Sequence, residues 1–84
     1  MNKYPIEREF KAIGTGGDPF VAAMVAIVEE VTGAPVPPGS ISTRPSEKGT
    51  YVCVNVGPVV IAAGDQIKDI YRRMKEDARC KWLL

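Results

Sequence analysis

The spacing of apolar residues along this chain changes repeatedly between two and about 3.6, and the order of these changes restricts the fold more than any single residue does. From Ile6 to Ile13 the residues alternate in character, with Ile6 and Phe10 on one side and Glu7 on the other. Such alternation is typical of a half-buried strand. Arg8 falls on the apolar side, so we expect its guanidinium to reach the rim or that end of the strand to be exposed.

The following segment has the spacing of an amphipathic helix. The glycine-rich stretch 14–17 interrupts the alternation, and Asp18 and Pro19 are typical of an N-cap and the first helical position. The apolar residues then fall on one helical face: Phe20, Met24, Ile27, Val28 and Val31. Gly33 is placed to end the helix in a left-handed conformation.

A hairpin is predicted in the middle of the chain. Residues 34–39 contain three prolines and cannot continue a helix, because proline lacks the backbone donor. Residues 40–44 have strand character, 45–49 have turn chemistry, and 50–56 alternate again. The dipeptide at 57–58, glycine followed by proline, predicts a bulge or bend and an early end of the third strand.

A second helix and a short strand complete the pattern. The helix begins at Gly64 and Asp65, and its apolar residues again share one face: Ile67, Ile70, Tyr71 and Met74. In the tail Cys80, Trp82 and Leu84 alternate with polar neighbours, which predicts a last strand with Cys80 and Trp82 facing the core.

The resulting order, βαββαβ, predicts an α+β fold of the ferredoxin-like type. Two β-α-β crossovers joined by a hairpin give one four-stranded antiparallel sheet, in the order 4-1-3-2, with both helices on one face. Residues 1–84 are expected to form a single domain, since the chain is too short for two. The predicted core consists of Phe10, Phe20, Met24, Ile27, Val28, Val31, Val52, Val54, Ile67, Ile70, Met74 and Trp82.

Charge and composition argue against several classes of partner. Eleven basic and ten acidic residues leave a formal charge of +1, so no strong field attracts nucleic acid or anionic lipid. The open side of the sheet would offer Tyr51 beside Glu7 and Glu9, a poor platform for stacking bases, so nucleic-acid binding is not expected. No apolar run is long enough to span a membrane. Two cysteines are few for a small secreted domain, so we expect a cytoplasmic protein.

The residue types argue against catalysis. The chain has no histidine, so Ser-His-Asp and Cys-His mechanisms are excluded. Cys53 and Cys80 lack the spacing of a metal site. The turn 14–18 matches neither of the common phosphate-binding glycine motifs. We therefore expect no enzymatic activity, no catalytic residues, no metal and no cofactor.

Short motifs spread along the chain resemble one known family. They include Tyr4-Pro5 near the start, Pro-Ser-x-Lys-Gly-x-Tyr at 45–51, and Lys-Trp-Leu-Leu at 81–84. These motifs resemble the YbeD-like family of small bacterial proteins, which is biochemically uncharacterised and whose fold resembles the ACT regulatory domains. The resemblance implies an ACT-like regulatory or binding module and names no ligand.

Two hypotheses for function follow. The first is a regulatory or protein-interaction module that binds a protein partner or a small anionic ligand through the hairpin and the neighbouring sheet, with four candidate residues: Arg44, Ser46, Lys48 and Tyr51. We expect the restricted backbone of this loop to present Arg44 and Lys48 together. The second is a small-ligand sensor that uses the turn 14–18 at a subunit interface. The open sheet face could remain solvated or be covered in a homodimer.

Overall fold

Strands and helices follow the predicted order through residues 3–84, which are the residues that the computed structural model describes. Within these residues the elements are β1 (Ile6–Gly14), α1 (Asp18–Thr32), a short 3-10 turn (Pro38–Ser40), β2 (Ile41–Pro45), β3 (Val52–Ile61), α2 (Gly64–Glu76) and β4 (Cys80–Leu83). The ferredoxin-like prediction is confirmed.

The four described strands form one antiparallel sheet in the order β2-β3-β1-β4. Both helices pack on one face of this sheet, and the core lies between the two layers. Its buried side chains are Phe10, Ala12, Phe20, Met24, Val28, Val36, Val54, Val56, Ile61, Ile70 and Met74. Within residues 3–84 the other face of the sheet carries no helix, and we call it the open face.

A bulge in β3 changes which residues face the core. Arg8 pairs with Val59 but Phe10 pairs with Val56, so β3 carries one extra residue at 57–58. Gly57 has φ +132°, and a Cβ there would lie 2.8 Å from a backbone oxygen of β1, so the bulge requires glycine. The predicted bulge is confirmed, but the predicted early end of the strand is wrong, because β3 continues pairing as far as Ile61.

A second bulge, in β4, corrects the placement of Trp82. Ile13 pairs with Trp82 and Gly14 pairs with Cys80, so Lys81 is the extra residue. Cys80 therefore packs against the core, whereas Trp82 lies on the open face and is 52% exposed. The prediction that Cys80 and Trp82 share the core face is wrong, because a bulge shifts the alternation by one residue.

The turn between β1 and α1 is closely packed. Gly14 is buried, and a Cβ there would lie 2.4 Å from the Arg79 carbonyl oxygen and 2.5 Å from the Phe20 ring. The N-cap of α1 is Gly17, not Asp18 as predicted, and no side chain caps the helix. The positive φ of Gly17, +61°, makes this turn, so the helix begins at Asp18 itself, one residue earlier than predicted.

The margins of the core also differ from the prediction. Four predicted core residues are only partly buried, because they lie at the edges of the layers: Ile27, Val31, Val52 and Ile67. Four residues missing from the prediction are buried: Ala12, Val36, Val56 and Ile61. Val36 belongs to the proline-rich connector, and its side chain packs in the core. Its N–H donates to a Glu29 carboxylate oxygen at 2.8 Å.

Arg8 reaches the rim from the apolar side of β1. Its guanidinium carbon lies 5.8 Å from the Phe10 ring centre and 5.7 Å from the Tyr71 ring centre, and it donates to the Tyr71 hydroxyl at 3.3 Å. These rings accommodate the cation without burying its charge.

Candidate functional site

The open face holds the large hydrophobic side chains of the described chain that remain exposed. Its outward side chains, by strand alternation and pairing, are Glu7, Glu9, Lys11, Ile13, Ser42, Arg44, Cys53, Asn55, Val60 and Trp82, with Tyr51 and Leu84 just beyond the strand ends. Within residues 3–84 the large hydrophobic side chains that remain exposed are Val60 (60%), Trp82 (52%) and Leu84 (64%). All three lie on this face. Apolar groups collected on one surface mark interaction sites more often than scattered ones do.

A row of neighbouring side chains crosses the open face at the end of β1. Trp82 is opposite Ile13, Ile13 is opposite Cys53, and Cys53 is opposite Arg44. The half-buried Tyr51 packs its ring edge-on against Trp82, with 5.2 Å between the ring centres. This row therefore presents an aromatic pair at one end and a guanidinium at the other.

The next row is polar. Lys11, Asn55 and Ser42 are opposite one another, and the Asn55 amide donates to a Glu9 carboxylate oxygen at 3.0 Å. Within the described residues the buried Asn55 Oδ1 accepts no hydrogen bond. A shallow depression of about 400 Å³ lies over these rows and is lined by Lys11, Ser42, Thr43, Arg44, Cys53 and Asn55.

The two arginines of α2 are paired with carboxylates, whereas its lysines, Lys68 and Lys75, have no ion pair among the described residues. On α2, Arg72 pairs with Asp69 and Glu76, and Arg73 pairs with Asp69 and with Glu30 of α1 at 3.5 Å. Hydrogen bonds from the two arginines lower the pKa of Asp69.

By contrast, Lys11 and Arg44 have no carboxylate oxygen within 4.0 Å among residues 3–84. The helical arginines are therefore already neutralised, whereas the open-face cations remain available to a ligand or partner.

Charge on the open face is divided along β1. Glu7 and Glu9 lie toward the start of the strand, and Val60 is paired with Glu7. We call this the acidic half. Lys11 lies toward the end of β1, in the same half of the face as Arg44, and we call this part the cationic half. It also contains the aromatic pair described above.

The four predicted site residues line two depressions, one at the hairpin loop and one on the sheet. The Ser46 N–H donates to the Tyr51 carbonyl at 2.9 Å, and the Tyr51 N–H donates to Ser46 Oγ at 3.1 Å, so the Ser46 hydroxyl already holds the loop closed. Lys48 lines a depression of about 340 Å³ together with Ser46 and Tyr51. Arg44 lines the other depression, on the sheet. Arg44 and Lys48 therefore line different depressions, and their joint use by a partner stays a prediction.

Tyr51 and Arg44 are the predicted residues that belong to the open face. Trp82 was missed as a site residue because the alternation of the tail placed it in the core. Lys81, whose insertion into β4 turns Trp82 outward, carries no sequence signal that distinguishes a bulge from regular pairing.

The turn 14–18 is tied to the segment before β4. The Thr15 N–H donates to the Arg79 carbonyl at 3.0 Å, and the Arg79 side chain lies beside Gly16. The guanidinium of Arg79 is held by Asp77 at 2.8 and 3.0 Å, which lowers the pKa of that carboxyl. The cation nearest this turn is thus already paired.

The remaining reactive groups are two thiols. Cys53 and Cys80 are both unpaired and partly buried. Burial, and secondarily the charge of Asp77, raises the pKa of Cys80. Residues 3–84 contain no group of three or more cysteine or carboxylate side chains that could hold a metal ion. None of the helices in this range has the length and apolar character needed to cross a membrane.

Comparison with known proteins identifies the fold and the family. Among curated proteins no relative of this chain was found. The solution structure of protein HP0495 from H. pylori is similar, with a TM-score of 0.75 and 14% identity over 100% of this chain and 86% of the other. At that identity the likeness shows a shared fold. A family model described as a protein of unknown function, DUF493, matches residues 1–84. The chain therefore belongs to the DUF493 family, the YbeD-like family that its sequence motifs indicate.

Proposed function

We propose that this protein is a non-enzymatic, cytoplasmic regulatory module that acts by binding a protein, and that the open face is its binding surface. One observation carries the proposal: the large apolar side chains that remain exposed in the described chain lie on this face. The opposite face of the sheet is covered by α1 and α2. A small domain gains nothing in stability from apolar groups that stay in water, so a partner that covers them is a physical reason for their placement.

The residue types on the open face support protein binding. Tryptophan, tyrosine and arginine contribute most often to the binding energy of protein interfaces, and the row at the end of β1 presents one of each. These residues are Trp82, Tyr51 and Arg44. Because Trp82 and Arg44 lie within strands and Tyr51 directly precedes one, a partner has to order their side chains but not their backbone.

Electrostatics supports a partner with acidic groups against the cationic half. Lys11 and Arg44 have no carboxylate within ion-pairing distance among the described residues, so binding need not break an existing pair. An arginine that meets a carboxylate in a partly dehydrated interface forms a charge-assisted, often bidentate hydrogen bond. Such a contact adds specificity to the apolar contact at Trp82.

The non-enzymatic part of the proposal rests on the residue types. The chain lacks histidine, so the most common general base near neutral pH is missing. The cytoplasmic part rests on two thiols that remain free in the structure, as is usual in a reducing compartment.

Affinity purification from the protein's own host tests the binding surface. Three tagged variants are compared with the wild type: Arg44→Glu on the open face, Lys48→Glu in the hairpin loop and Lys68→Glu on α2. We expect Arg44→Glu to lose the co-purifying protein and both controls to retain it. All three side chains are exposed, so melting temperatures should agree closely.

The proposal is contradicted if Arg44→Glu recovers the same protein at the wild-type yield. A ligand-dependent rise in melting temperature with no protein captured would instead favour a small-ligand sensor, because a ligand that binds only the folded state stabilises it by mass action.

A further inference from the structure

We propose that the protein bound at the open face is a second copy of this chain, in a two-fold dimer that places the cationic half of each copy on the acidic half of the other. This inference rests on the proposed function, in which the open face binds a protein. It adds the identity of the partner and the orientation of the two copies.

Charge complementarity within the open face supports this partner. The cationic half carries Lys11 and Arg44, and the acidic half carries Glu7 and Glu9, so the whole face is balanced. An unrelated acidic partner large enough to cover the face would meet repulsion at Glu7 and Glu9. A second copy turned end for end supplies Glu9 opposite Lys11 and Lys11 opposite Glu9, the reciprocal pairing that a self-complementary two-fold interface requires.

The order of these charges along β1 selects one symmetry axis. Two sheets that pack face to face are related by a two-fold axis that lies between them, either along the strands or across them. An axis along the strands would bring Lys11 near Lys11 of the second copy and Glu9 near Glu9. An axis across the strands, passing close to Phe10, brings Glu9 opposite Lys11 of the second copy. Only the second arrangement pairs unlike charges.

The same axis covers one of the exposed apolar groups, Val60, whereas Trp82 of β4 and Leu84 just beyond it face no strand of the second copy. Val60 lies opposite Glu7, about as far from the middle of β1 as the row that contains Ile13 and Cys53 lies on the other side. Rotation across the strands therefore places Val60 of one copy over Cys53 and Ile13 of the other, between its Trp82 and Arg44. A side chain that is 60% exposed in one copy is thus covered by the row that contains the aromatic pair.

The size of the face predicts a weak, reversible dimer. Nine residues of β1 at about 3.4 Å each span about 30 Å, and two central strands at about 4.8 Å spacing are about 10 Å wide. The flanking strands β2 and β4 widen only the cationic half and face no strand of the other copy, so each copy buries on the order of 300 Å² against about 800 Å² in a standard interface. Interfaces of this size belong to transient complexes.

Complementary charge reversal tests the dimer. Lys11→Glu/Arg44→Glu makes the open face wholly acidic, and Glu7→Lys/Glu9→Lys makes it wholly basic. We expect wild-type protein to dimerise in sedimentation experiments between about 10 μM and 1 mM, and each double variant to stay monomeric over that range. An equimolar mixture of the two variants should associate at least about tenfold more tightly than either alone. Lys48→Glu/Lys68→Glu, with the same charge change away from the face, should dimerise as the wild type does.

The outcomes separate the two proposals. If the wild type stays monomeric at about 1 mM, or the folded double variants fail to associate when mixed, the dimer is refuted. If the dimer is refuted but Arg44→Glu still loses a captured foreign protein, the open face remains the binding surface and its partner is another chain. If the wild type dimerises but all the double variants do so equally, the contact lies elsewhere and the proposed dimer fails, while the capture experiment with Arg44→Glu still decides whether the open face binds another protein.

Discussion

Two valines on β3 provide a direct test of the bulge at Gly57. Val54 and Val60 are an even number of residues apart, so regular alternation would place them on the same face of the sheet. The bulge reverses this, leaving Val54 fully buried and Val60 60% exposed on the open face. The same substitution at the two positions should therefore have different effects on stability.

The structure sets the size of the difference. Val54→Ala removes two fully buried methyl groups at about 0.8 kcal/mol each, and the cavity left behind raises the total to about 2–3 kcal/mol. Val60→Ala removes the same groups, of which less than half is buried, and leaves no cavity, so it should cost about 0.6 kcal/mol. The expected difference in the free energy of unfolding is about 2 kcal/mol.

Urea denaturation followed by circular dichroism measures both values. The protein concentration is kept where sedimentation shows a monomer, so that association does not add to the stability of either variant. A difference of about 2 kcal/mol corresponds to about 10 °C in melting temperature for a domain of this size, so thermal melts provide a second readout. Equal losses at the two positions, or a larger loss for Val60→Ala, would refute the change of face at the bulge.

Three further results are expected from single positions. Gly14→Ala should destabilise the fold by about 1–3 kcal/mol because its Cβ would lie 2.4 Å from a backbone oxygen, whereas Gly39→Ala, with no atom within 4 Å of the added Cβ, should be nearly neutral in the same denaturation assay. Trp82→Phe should lower the free energy of unfolding by less than about 1 kcal/mol, because Trp82 is 52% exposed. Iodide should quench the fluorescence of Trp82 in the wild type, and strong protection from iodide would show that Trp82 is buried in the core. Alkylation of Cys80, followed by peptide mass spectrometry, should need a higher pH than alkylation of a free thiol, because burial and Asp77 raise the pKa of Cys80. Asp77→Asn should lower the pH at which alkylation is half-maximal, and an unchanged half-maximal pH would contradict this.

The fold could be predicted from the sequence because the spacing of apolar residues changes at each passage between a strand and a helix, and turn residues separate the two strands of the hairpin. The stripe from Phe20 to Val28 and that from Ile70 to Met74 are confirmed as the buried faces of α1 and α2. A bulge or bend at Gly57 was also predicted, because glycine and proline interrupt the alternation there, and the structure shows a bulge. These signals are local, so a single sequence contains them.

The candidate site was harder to predict because it depends on pairing between distant segments. Tyr51 and Arg44 were identified from the hairpin alone. Contact between Tyr51 and Trp82 requires β1 to lie between β3 and β4 and an extra residue, Lys81, in β4. Alternation in a strand of four residues cannot reveal such an insertion, because one shift exchanges the two faces completely.

The native thiol of Cys53 offers the most direct measurement of whether the open face is a binding surface. Cys53 lies in the middle of the face, between Ile13 and Arg44, and a Cys80→Ala variant leaves it as the sole thiol. Its labelling rate is compared between dilute purified protein and the same tagged protein in concentrated extract of its host, with Lys68→Cys in a Cys53→Ser/Cys80→Ala background as the helix-side control. We expect labelling of Cys53 to slow several-fold in the extract while the helix-side thiol is unaffected. Equal rates for Cys53 in both conditions would contradict the assignment of the open face as the surface through which this protein acts.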